Sequence, residues 1–167
     1  DLKREYEEIA VEFSMLNEME TKDMAEPIDA LILRVQSFRN NVQLSDISNK
    51  EELTKEVDDT LATLHYTKGL IVIANENNLK KAELLFIQAA KYNNIYSQKY
   101  LEKANDLISK QNYMIAEVFL NAFIETYTNS EYTLANAYRL RAKIRHNYLK
   151  NKFGAIEDNK KADELIK

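Results

Sequence analysis

The chain has 167 residues and a net charge of −4, with no cysteine or tryptophan, two glycines and one proline. That length suits one domain or one helical array burying roughly 70% of its unfolded surface, and the mild charge argues against nucleic-acid binding by the whole surface. Without cysteine there is no disulfide, thiol catalysis or Cys-ligated metal, and two glycines leave no material for a glycine-rich phosphate loop.

Leu2, Tyr6, Ile9, Phe13 and Leu16 recur at spacings of four and three, which predicts a helix with one apolar stripe ending near Lys22. Pro27 suits a first helical position, and Ile28, Leu31, Ile32, Val35, Phe38 and Val42 give the next helix its apolar face. The two predict an antiparallel hairpin over residues 1–45. Ser48 with Glu51 reads as a capping box, after which Leu53, Val57, Leu61 and Leu64 lead into "GLIVIA". This stretch fits either one long helix or two with a bend near Thr60. "NENN" at 75–78 ends it, and an Asn there caps the next helix. Further helices are predicted at about 80–92, 95–109, 113–127, 131–150 and 153–166.

A repeat runs through the second part of the chain. Tyr66 and Tyr100, Leu70 and Ala104, Ala82 and Ala116, and Phe86 and Leu120 are each 34 residues apart. Ala104 with Ala142 and Ala116 with Ala155 continue the pattern after a few extra residues. Small residues suit close helix crossings, with large ones filling the space beside them.

"NNLKKAELLFIQAAKYNN" resembles the second helix of a tetratricopeptide repeat, through Leu79, Ala82, Phe86 and Ala89, and "QNYMIAEVFL" and "FGAIEDNKKADEL" repeat the likeness. The resemblance covers about 60–166; Leu70, Phe123 and Asn159 depart from the pattern, and residues 1–58 do not match it. It implies an all-α array of about eight helices, with a TPR-like region at 46–167 and the hairpin at 1–45 as its cap. Phe119, Phe123, Tyr127, Ser130, Tyr132 and Ala135 further resemble repeats of bacterial envelope proteins such as the lipoprotein of the outer-membrane β-barrel assembly machinery. That implies a periplasmic or envelope compartment, with the cytoplasm as the alternative. No apolar run reaches the ~18 residues of a membrane span, and a start at Asp1 is compatible with a removed signal or anchor. The family's carboxylate clamp is missing, since Thr67, Ile71 and Glu102 stand at its positions.

Enzyme signatures are scarce. His65 and His146 are not spaced as ligands, and acidic neighbours such as Asp58–Asp59 point about 100° apart on a helix. No enzyme activity, metal or cofactor is expected. Most of the ten tyrosines fall between Tyr92 and Tyr148. Tyr66, Tyr100, Tyr113 and Tyr138 are expected in the repeat core, with a groove lining as the sharper alternative.

The best functional lead is the run from Glu131 to Glu157, which has no acid between its ends and is rich in Arg and Lys. Asn136, Arg139, Lys143, His146 and Asn147 share one helical face. The family alignment makes that face an inner one, with Gln98, Glu102 and Asn105 as neighbours from the preceding unit. The face reads as an ordinary basic helix, a groove for an acidic peptide, or a contact for anionic lipid or nucleic acid. The functional expectation is a noncatalytic scaffold or assembly factor holding a protein or peptide; a ligand-sensing module of a larger protein is the alternative.

Overall fold

The computed structural model describes all residues, Asp1–Lys167. The protein is all-α, with eight helices: α1 (Leu2–Asn17), α2 (Ala25–Leu44), α3 (Lys50–Glu76), α4 (Leu79–Tyr92), α5 (Ile95–Ser109), α6 (Tyr113–Thr126), α7 (Glu131–Asn147) and α8 (Lys152–Leu165). They form two compact units, residues 1–93 and 94–167. The hairpin at 1–45 therefore belongs to the same unit as α3 and α4.

In the first unit consecutive helices are antiparallel, because early residues of one meet late residues of the next. Tyr6 packs on Phe38, Arg39 forks onto Asp58 at 2.6 and 3.3 Å, and Tyr66 lies 5.6 Å from the Phe86 ring. The apolar stripes meet in one cluster, in which Ile9 and Leu16 of α1 join Ile28, Val35 and Phe38 of α2 and Val57, Leu61 and Leu64 of α3. α3 is a single helix of 27 residues. Its Gly69 lies against α4 so closely that an added Cβ would come within 2.9 Å of three Phe86 ring carbons. Gly69 is thus the small residue at this crossing. Leu70, which the 34-residue register places there, is 37% exposed, because one residue along a helix turns a side chain by about 100°.

In the second unit, α5 to α8 are again antiparallel in succession. Tyr100 meets Phe119, Ser97 shares a 2.7 Å hydrogen bond with Thr126, and Tyr113 stacks on Tyr148 at 3.8 Å between ring centroids. Ala104, Ala116, Ala142, Ala155 and Ala162 are buried, as their recurrence predicts. Among the four tyrosines expected in the core, Tyr100 is fully buried and Tyr66, Tyr113 and Tyr138 are half-buried.

Several helix ends differ from the sequence expectation. α1 stops at Asn17, and Thr21–Asp23 form a separate 3-10 turn. Pro27 is the third residue of α2 rather than the first, and it is tolerated because the N–H groups of a first turn lack intrahelical acceptors. The Ser48–Glu51 box does not form: Asn49 occupies the N-cap of α3 with no side-chain cap bond. Asn78, in contrast, caps α4 by accepting from the Lys81 N–H at 3.1 Å. With glycine so scarce, the left-handed residues at three helix ends are Asn77, Gln111 and Lys150, with φ of 51°, 61° and 54°.

Candidate functional site

The acid-free segment folds as α7, the turn after it and the start of α8, and the three arginines of α7 are met by carboxylates from the two helices beside it. Arg141 donates to Asp158 of α8 through Nε at 2.9 Å and Nη2 at 2.6 Å, and to Asn121 of α6 at 2.8 Å. Arg145 donates to Glu117 of α6 at 2.7 Å and to Asp158 at 3.1 Å. Asp158 is 2% exposed, so this is a buried network holding α6, α7 and α8 together.

The outer row is less committed. Arg139 pairs with Asp163 of α8 at 3.1 Å, and both side chains are well exposed. The acid that meets Arg139 is remote in sequence and adjacent in space. Asn136, Lys143, His146 and Asn147 are exposed, and His146 Nδ1 lies 2.9 Å from Asn147 Oδ1. Gln98, Glu102 and Asn105 are exposed on α5. No hydrogen bond or ion pair joins those three to the α7 row.

Sequence reasoning missed a second surface, on the α1–α2 hairpin. There an open groove of about 460 Å³ is formed by Met15, Leu16 and Met19 on one side and by Pro27, Ala30 and Leu31 on the other. Arg34 borders it and is held by Glu8 at 2.7 Å and by Glu12. Met15 is 61% exposed, and Val11 on the same helix and Leu33 on α2 are exposed as well. A signal for this surface is present in the sequence: Val11, Met15 and Met19 repeat every four residues off the Leu2–Leu16 stripe. A second apolar stripe on one helix marks a second apolar face.

His65 is buried, and its Nδ1 donates to the Leu61 carbonyl oxygen at 2.7 Å. Burial lowers its pKa, the hydrogen bond opposes this, and the Lys68 charge adds to the lowering. No group of three or more His, Cys, Asp or Glu side chains is placed to hold a metal ion, and no helix is long and apolar enough to cross a membrane. Compared with known proteins, the chain matches no family model, no curated protein and no solved structure.

Proposed function

We propose that the chain is a noncatalytic, tetratricopeptide-like scaffold that holds a segment of a protein partner, as an assembly factor or adaptor does. The observation that carries this reading is the α1–α2 groove, whose walls are apolar and whose rim is charged. Two methionines favour such a role, because their flexible, polarisable side chains adapt to an incoming apolar surface. Two parallel ridges about two turns long suit a helix laid between them, anchored by residues one turn apart. The tetratricopeptide-like part of the reading draws support from the full burial of Ala82 and Ala116, one repeat length apart.

A display library of randomised helical peptides, panned against the full chain, tests it. The expected outcome is enrichment of peptides with apolar residues at i and i+3 or i+4, whose binding drops at least tenfold on Met15→Glu. Enrichment of nothing above background, or of peptides indifferent to Met15→Glu, would remove the groove from the function.

A further inference from the structure

The two units carry opposite charge. Residues 1–93 hold 18 Asp and Glu against 11 Lys and Arg, whereas residues 94–167 hold 9 against 12. The groove lies in the acidic unit. At its turn end, Glu18 continues the Val11–Met15 stripe of α1 and Glu26 begins the Ala30–Leu33 stripe of α2. Both carboxylates, with Asp23 between them, are exposed and form no ion pair.

The basic unit carries a matching ridge. On α8, Phe153 and Ile156 are 75% and 65% exposed and lie one turn apart on one face. Lys152 precedes the pair and Lys160 stands at the next turn, with Lys161 beside it; none of the three is ion-paired. Glu157 is the one exposed acid within a turn of the pair, Asp158 being buried against Arg141 and Arg145, and Arg34 is the one base in the groove wall.

We infer that the groove takes α8 of a second copy of this chain, Phe153 and Ile156 entering between the Met15 and Ala30 ridges while Lys160 and Lys161 meet the Glu18–Glu26 end. This rests on the groove being a docking site and names its occupant. The two surfaces differ, so the contact is heterologous: each chain offers one groove and one ridge, and assembly continues until it closes on itself or is capped. The apolar contact is small against the 1,200–2,000 Å² of stable complexes, so the association is weak, with Kd on the order of 10⁻⁴ M, and it weakens further with salt.

Sedimentation equilibrium of the full chain from about 10 μM to 1 mM decides the matter. The expected result is a mass that rises with concentration and falls back between 50 and 500 mM salt, with Met15→Glu and Phe153→Glu each monomeric at every concentration. Mixing those two variants should restore a dimer and nothing larger, because one intact groove and one intact ridge survive between them. A parent chain that stays monomeric at 1 mM, an association that either variant leaves unchanged, or a mixture that fails to pair would overturn the inference. Peptide capture by the groove in a chain that stays monomeric would leave the scaffold reading standing and eliminate the second copy as occupant.

Discussion

Replacing Asp158 by Asn keeps the shape of the side chain and removes the one charge shared by Arg141 and Arg145. The carboxylate accepts three hydrogen bonds from the two guanidinium groups, at 2.6, 2.9 and 3.1 Å, in a site where it is 2% exposed. Breaking a buried pair from one side costs about 3–5 kcal/mol, because the stranded charge stays desolvated. Here Arg145 keeps Glu117, Arg141 keeps Asn121, and the two arginine side chains retain 17% and 13% exposure, which places the loss at the lower end, about 3 kcal/mol. Asp163→Asn is the internal control. Its pair with Arg139 is exposed, so its loss should stay within about 0–1 kcal/mol. Urea unfolding followed by circular dichroism measures both, and an unchanged m-value confirms that the same transition is compared. Replacing the network by apolar residues, as in Arg141→Met with Asp158→Leu, should cost less than Asp158→Asn alone. If Asp158→Asn and Asp163→Asn are equally mild, the network does not hold α7 in place and the ranking by burial is wrong.

Gly69→Ala would raise helix stability by about 1 kcal/mol at an exposed site, but here the methyl group meets the Phe86 ring, so a net loss of about 0.5–2 kcal/mol is expected. Thermal unfolding of Gly69→Ala with and without Phe86→Leu checks it; stabilisation by Gly69→Ala alone would contradict the close crossing. Lys150 and Gln111 occupy left-handed positions after α7 and α5, where a Cβ costs about 1–2 kcal/mol, so Lys150→Gly and Gln111→Gly should each stabilise by up to about 1 kcal/mol in the same assay. The buried His65 has a folded-state pKa below the 6.5 of an unfolded histidine, so the folded chain binds fewer protons. Its contribution is complete above about pH 6.5 and is lost as pH falls toward the depressed folded value. Urea midpoints from pH 7.5 to 5 should therefore drop more steeply for the parent than for His65→Gln, and parallel profiles would refute the assignment.

The set of helices was legible because apolar residues recur at helical spacing from Leu2 to Leu165, and short polar segments separate the runs. Their ends were less legible, since they depend on competition between neighbouring groups. Ser48 and Glu51 have the spacing of a capping box, yet Asn49 sits one residue nearer the apolar run and α3 begins after it. The 34-residue register found Ala82 and Ala116, both fully buried, and pointed to Leu70 where Gly69 makes the close contact. A sequence register fixes side chains to within a residue, and one residue on a helix is the difference between core and solvent. The groove went unread for a related reason. The first stripe of α1 was complete without Met15 and Met19, and a single exposed apolar residue is ordinary until its neighbours across a hairpin are known.

The acid-free stretch shows why charge counted along a chain is a poor guide to charge felt at a surface. Within one helix, ion pairs form between residues three or four apart, so a segment with no acid from 132 to 156 suggests unsatisfied cations. A helix between two neighbours has other options. α7 finds Glu117 on α6 and Asp158 and Asp163 on α8, and the Arg forks reach them across distances that sequence separation does not report. Segregating the signs by helix also has a consequence for specificity. A basic helix beside acid-bearing ones pairs only when α6, α7 and α8 take their native order and register, since a slipped arrangement leaves Arg141, Arg145 or Asp158 buried without a partner. Lys143, exposed and without an ion pair, is the cation of that helix still available to a ligand.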